Sequence, residues 1–333
     1  MIRRCLPAVA LLIMHAGPAL AFGTFHESPV LPAAEKYRAW REAAARVLIA
    51  RGDAASLATA AALSFAGPPA RATPSPAAGR MAAAELAARA CEADAENPAI
   101  AWLRLQLCAN APSCDIRDAA TTMRWIDAEN AAAWLPSLAA ARKDQDVIEV
   151  DRILQDMALG ARFDLYWNRI VVLLFDTLKK VARELPAGYL TSDYARLSEA
   201  EAVAAVEIIP SFAPLVSACR ESATAERREA CLKLSRTMQR GDAVVAQMAG
   251  FGIEKHLTPP DSKEGRAAAE HRRVLEWRAS AASRFDAPLL PWSKHARALN
   301  EVAEMRAFSR EADVDAAVLK EHKIRLEPPE DRR

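Results

Sequence analysis

Apolar residues recur every third or fourth position through most of this chain, a spacing that gathers them on one side of an α-helix. Over 33–51, Tyr37, Trp40, Ala44, Val47 and Leu48 form such a stripe. Gly52 stops that helix, and Asp53 caps the next, which runs to about Phe65. Val147, Val150, Ile153, Leu154 and Met157 repeat the pattern over 146–159. In 164–185 the apolar positions, from Trp167 and Ile170 to Phe175 and Leu178, surround the helix and mark it as the most buried. Further helices are predicted at about 80–92, 98–109, 115–127, 130–143, 211–221, 224–240, 242–256 and 263–284. Their short connections favour antiparallel neighbours. Ser198 with Glu201 reads as a capping box, opening a helix to Ile209 after a loop at 189–197. A weaker helical pattern fills 292–326.

Two interruptions divide the chain. Residues 67–79 hold four prolines and no apolar period, so they read as a linker. Pro186-Ala187-Gly188 ends the central block. The predicted organisation is an N-terminal hairpin (22–66), the linker, a helical domain (80–185), a second helical domain (198–326) and a frayed tail (327–333).

Residues 1–21 read as a secretory signal. Arg3 and Arg4 form the basic end, Ala8 to Met14 the apolar stretch, and Ala19-Leu20-Ala21 the small-x-small site, with cleavage after Ala21. The apolar stretch is shorter than the roughly 20 residues needed to span a bilayer. Export to the periplasm or the medium is therefore expected, with no stable membrane insertion after cleavage.

Composition agrees with helices. Of 333 residues about 75 are alanine, aromatic residues make up 6%, and there are only 11 glycines. Alanine is the best intrinsic helix former, and strand formers are few, which excludes a β-sandwich or barrel. The formal charge of +1 falls to −1 once Arg3 and Arg4 are removed, so the total gives nucleic-acid binding no support.

Export permits disulfides. Cys108 and Cys114 flank a turn-rich pentapeptide, and Cys219 and Cys231 flank Thr224, a helix start; each pair would clip two consecutive helices. Cys91 is left as a buried free thiol. An all-reduced set of core cysteines is the alternative.

Two segments match each other: Glu96-Asn97-Pro98-Ala99-Ile100-Ala101-Trp102-Leu103 and Glu129-Asn130-Ala131-Ala132-Ala133-Trp134-Leu135. Their tryptophans stand 32 residues apart, and Asp146 follows Trp134 by twelve, where a turn between paired helices would fall. The segment 129–158 resembles a tetratricopeptide repeat, a family with the 34-residue period. Ser137 and Leu138 replace the family's Leu-Gly pair, and its terminal Pro is missing. The resemblance implies an all-α fold of antiparallel helical hairpins stacked as an irregular solenoid, because one hairpin cannot bury its own apolar face. An irregular helical domain with similar caps is the other reading. The resemblance also implies a concave groove for a partner protein or peptide. Matching positions are Ile100, Leu103, Leu107 and Asn110, then Leu135, Ala139, Arg142 and Lys143; the last two read either as receivers of a carboxylate or, equally, as a solvated helix end.

The remaining chemistry is sparse. Arg-Gly-Asp occurs at 51–53 and 240–242, where a left-handed Gly stop followed by an Asp cap explains both. His26, His256, His271, His295 and His322 include no i, i+4 pair, and no zinc spacing exists, so neither metal nor other cofactor is expected. No nucleophile elbow or phosphate loop is present. Glu221-Ser222 superficially matches the Glu-Ser pair of peptidoglycan-cleaving enzymes, but it lies at a helix end beside a turn. Arg227-Arg228, Arg272-Arg273 and Arg284 alternate with glutamates as solvated helix faces do. Trp102, Trp125, Trp134 and Trp167 fall on apolar stripes and read as core. The expectation is a non-enzymatic interaction scaffold of the cell envelope, with an envelope hydrolase as the alternative.

Overall fold

The computed structural model describes residues 34–65, 76–221, 224–285 and 291–329. The signal segment, most of the linker, Ser222 and the last four residues lie outside them. The described residues form fifteen α-helices and no strand, as the apolar period predicts. In order these are α1 (Ala34–Arg51), α2 (Ala54–Phe65), α3 (Pro76–Ala93), α4 (Pro98–Ala109) and α5 (Ile116–Ile126). A single 3-10 turn (Ala131–Trp134) leads into α6 (Leu135–Lys143), α7 (Val147–Leu159) and α8 (Trp167–Lys180). Then come α9 (Asp193–Glu207), α10 (Ala213–Arg220), α11 (Ala225–Met238), α12 (Val244–Leu257), α13 (Lys263–Phe285), α14 (Pro291–Ala307) and α15 (Glu311–Glu321).

Consecutive helices pair as hairpins: α1 with α2, α3 with α4, α6 with α7, α8 with α9 and α11 with α12. Pairing also reaches across the chain. α8 touches α2, α4 and α14 as well as α9, and α7 lies on α11. One apolar core consequently runs from Trp40 to Val314, and the predicted break between 80–185 and 198–326 is not a break in packing. Alanine makes the close approach possible. Ala58, Ala60, Ala61 and Ala62 of α2 are all buried, and this slender helix sits against α1, α3 and α8.

Several boundaries differ from the sequence reading, each for a local reason. α3 begins at Pro76, inside the predicted linker; a first helical turn tolerates a residue without an N–H. α6 starts at Leu135 because Pro136 suits a helix start, and the residues before it tighten into the 3-10 turn. α9 opens at Asp193, where Ser192 accepts the amide of Ala195, so Ser198 and Glu201 stand inside the helix and form no capping box. The 292–326 pattern is two helices, α14 and α15, broken at Phe308 to Arg310.

Both predicted clips are present. Cys108 and Cys114 are bonded with Cα atoms 5.2 Å apart, and Cys219 and Cys231 with Cα atoms 5.6 Å apart. The first joins α4 to the turn before α5; the second joins α10 to α11. Cys91 is a buried free thiol on α3.

Candidate functional site

The two matching segments begin alike. Asn97 accepts the amides of Ala99 and Ile100, and Asn130 accepts that of Ala132, so each asparagine caps the helical turn that follows. Beyond the caps they diverge. Trp102 is fully buried and donates from Nε1 to the Ile208 carbonyl at 3.2 Å. Trp134 is half-buried, with the Arg124 guanidinium 4.4 Å from its ring centre and that of Arg152 5.8 Å away. The first copy runs straight into α4; the second passes through one 3-10 turn before α6 begins at Leu135.

The groove residues carried over from the repeat family do not share an open surface. Ile100, Leu103, Leu107 and Leu135 are buried in the core. The reason is that α4 meets α2, α3, α5, α8 and α9, so no face of it stays free to line a groove. Asn110 is exposed at the end of α4 and donates to the Gln106 carbonyl. Ala139 is half-buried on α6, and Lys143 is exposed at its end. Arg142 is occupied: both terminal nitrogens donate to the Glu221 carboxylate, at 2.6 and 2.9 Å. That pairing holds Glu221 below the usual carboxylate range, the opposite of what a general acid needs. One surface and one core expectation also change. Arg227 is buried and paired with Asp151, and Trp125 is 77% exposed rather than core.

The second Arg-Gly-Asp departs from the first. Gly52 takes a left-handed φ of +73°, and Asp53 caps α2 through the amide of Ser56. Gly241 has no such φ; an added Cβ there would lie 2.6 Å from the Phe163 carbonyl oxygen. Asp242 does not cap its own helix. Its carboxylate accepts the amides of Leu165 (2.7 Å) and Trp167 (3.0 Å), at the start of α8. α12 is capped in exchange by Glu311, whose carboxylate accepts the amide of Val244 at 2.7 Å. The Glu311 amide donates to the Asp242 carbonyl, again at 2.7 Å. Three chain segments are thereby tied together.

A second polar cluster lies beside this tie. Tyr166 donates its hydroxyl to Asp127, which also takes Arg162. Asn130 donates to the Asp164 carbonyl and to the Tyr166 hydroxyl, and accepts the Asp164 amide. Tyr166 holds a left-handed φ of +59°, a conformation that costs a non-glycine residue about 1–3 kcal/mol and persists only where surroundings enforce it. Burial pushes Asp242 up to about 7, helped by the Asp164 charge and opposed by the three amides of 165–167. Burial likewise pushes Glu311 up to about 8, with Asp315 adding to it. Burial and the Asp127 carboxylate raise the Tyr166 hydroxyl. These acids are spent on backbone and tyrosine donors, so the cluster braces loops and offers no acid and base converging on solvent. Nothing in the apolar period pointed to it, because its members sit at segment ends.

Among the described residues, an open cleft lies near α15. This cleft, of about 660 Å³, is lined by Phe308, Asp313, Ala316, Ala317, Lys320, Glu321 and Leu326. The chain past α15 is docked beside it: Trp277 and Arg278 donate to the carbonyls of Arg325 and Leu326. Small alanines form an apolar wall, and Asp313, Lys320 and Glu321 supply charge of both signs. Among the described residues no group of three or more His, Cys, Asp or Glu is placed to hold a metal ion. No protein-family model, no curated protein and no solved structure matches the chain.

Proposed function

We propose that the protein is an exported interaction scaffold that receives a peptide or protein segment in the cleft at α15. The observation that carries this reading is the character of that cleft: open, walled by Ala316 and Ala317, edged by the exposed ring of Phe308, and bordered by both charge signs. Such a surface suits an amphipathic segment with an apolar anchor and flanking charges. The carboxylate of Glu311, on α15 itself, and that of Asp242, bonded to the same segment, are engaged with backbone amides, and buried Glu254 is paired with Gln239 and Arg236, which favours binding over hydrolysis. Export is supported by the basic and apolar pattern of residues 1–21 and by two disulfides across helix pairs. No described helix is long and apolar enough to cross a membrane. The degenerate hairpin repeat at 96–159 is, in this reading, structural: it supports the core and does not supply the groove.

The test is site-specific photocrosslinking in the expressing cell. A photoreactive side chain at Lys320 should capture a discrete partner, while one at exposed Glu85 on α3 should not. Equal adducts at both positions, or none at Lys320, would refute the cleft as the docking site. Fractionation of chains with and without residues 1–21 checks export: the truncated chain should stay inside and carry reduced Cys219.

A further inference from the structure

Past α15 the chain belongs to no helix, and from 324 to 329 its burial alternates. Ile324, Leu326 and Pro328 are half-buried, while Arg325, Glu327 and Pro329 are exposed. A period of two is what a non-helical strap shows when it lies on a surface. Ile324 and Leu326 join Trp277 over Ala281 and Ala282 of α13 and Leu319 of α15, a small apolar cluster separate from the main core. Trp277 donates from Nε1 to the Arg325 carbonyl at 3.0 Å, and Arg278 from Nε to the Leu326 carbonyl at 2.9 Å. Pro328 and Pro329 have no N–H and keep the segment from continuing as a helix. The strap is held as a bound peptide is held: donors take consecutive carbonyls, and a trough takes alternate side chains.

The hold is light. Among the described residues, Ile324 carries the last amide that donates to a backbone carbonyl, that of Leu319 at 2.8 Å. Lys323, at the bend into the strap, has a left-handed φ of +57°, uncommon for a residue with a side chain. Leu326 is also a wall of the α15 cleft, so cleft and trough are continuous. We propose that the strap is a resident pseudo-ligand: the segment received at α15 is likewise non-helical, with aliphatic residues at alternate positions, and it takes the strap's place on α13. This rests on the cleft being the docking site. With the strap displaced, Leu319, Ala281 and Ala282 would lie bare, so its replacement must bring aliphatic side chains of its own. Trp277 and Arg278 would give the newcomer's backbone the same two bonds. The strap competes from a tether, at an effective concentration on the order of millimolar, and so holds back binding until it lets go.

The probe is a blocked peptide of residues 324–329, titrated into full-length chains. The parent should bind it weakly. The double variant Ile324→Asp with Leu326→Asp, whose strap cannot seat, should bind it roughly tenfold more tightly or better. Adding Trp277→Phe keeps a ring but removes a donor, and should weaken the peptide about several-fold. Hydrogen exchange in the parent needs no variant: excess peptide should speed exchange at the Ile324 amide, because its bond to Leu319 opens with the strap. Equal affinity for parent and double variant overturns the proposal. So does a double variant that keeps its helical content and binds no peptide, or peptide bound with Ile324 as protected as before. A parent dimer that the peptide dissolves would make the strap a swap between two copies, and overturns it as well. Capture at Lys320 without peptide binding would sink the strap proposal alone; peptide binding without capture would sustain it and sink the scaffold reading.

Discussion

Glu207 offers the sharpest test of the physical reading of this core. It stands on α9 at 2% exposure, and neither carboxylate oxygen has a hydrogen-bond partner. The cation that could compensate it, Arg41, is turned toward Glu199 (Nε to Oε1, 3.7 Å) and the Ala62 carbonyl (3.5 Å). Glu199 is further committed to the Tyr37 hydroxyl. Charge on Glu207 is therefore poorly supported, and burial pushes its carboxyl from 4.5 up to about 8. Below pH 4.5 the folded and unfolded chains are both protonated here, and nothing is lost. As pH rises toward 8, the unfolded chain ionises while the folded chain keeps its proton, so stability falls through that window. The difference amounts to roughly 3–5 kcal/mol at pH 9. Glu207→Gln keeps the shape and removes the ionisation. Urea unfolding of parent and variant at pH 5 and pH 9 is the assay. The variant should be within about 1 kcal/mol of the parent at pH 5 and several kcal/mol more stable at pH 9. An effect of the same size at both pH values would refute the argument.

Asp242→Ala should cost about 2–5 kcal/mol in the same assay, because it strands the buried amides of Leu165 and Trp167; a loss under 1 kcal/mol would mean those amides find other acceptors. Gly160→Ala should destabilise by about 1–3 kcal/mol, since the new Cβ would lie 2.9 Å from that of Ala131 and 3.0 Å from the Glu129 carbonyl oxygen. Unchanged unfolding would show that the 127–131 turn gives way freely. Cys219→Ala with Cys231→Ala opens a clip spanning 12 residues and should lower stability by about 2–4 kcal/mol, read as a drop in the urea midpoint. In the parent, thiol labelling of the described cysteines should detect only Cys91, and only after unfolding.

The helices were legible because their evidence is local. The stripes of α1 and α7, the Asn97 and Asp53 caps and both short cysteine spacings are set by neighbours within one or two turns. What long-range packing decides was not legible. Trp102 and Trp134 share a motif, yet one is sealed under α9 and the other lies beneath two arginines. Asp53 and Asp242 share a tripeptide, yet one serves its own helix and the other a helix some 75 residues earlier. The repeat-derived groove misled for the same reason: Leu103 and Leu107 have the right spacing, but α8 and α9 cover the face that a groove would need. The acids of the central brace sit at segment ends, where apolar periodicity carries no signal.

The exchanged caps have a consequence for the order in which the chain can be completed. α8 acquires its acceptor only when Asp242 arrives, and α12 only when Glu311 does. A chain made from its N-terminus must hold the start of α8 open until Asp242 has emerged, and that of α12 until Glu311 has. A chain halted before Glu311 would leave the Val244 amide without its acceptor and the turn at Asp242 without its partner. Closure of each helix start is thus timed by an acid that lies downstream of it, Asp242 for α8 and Glu311 for α12.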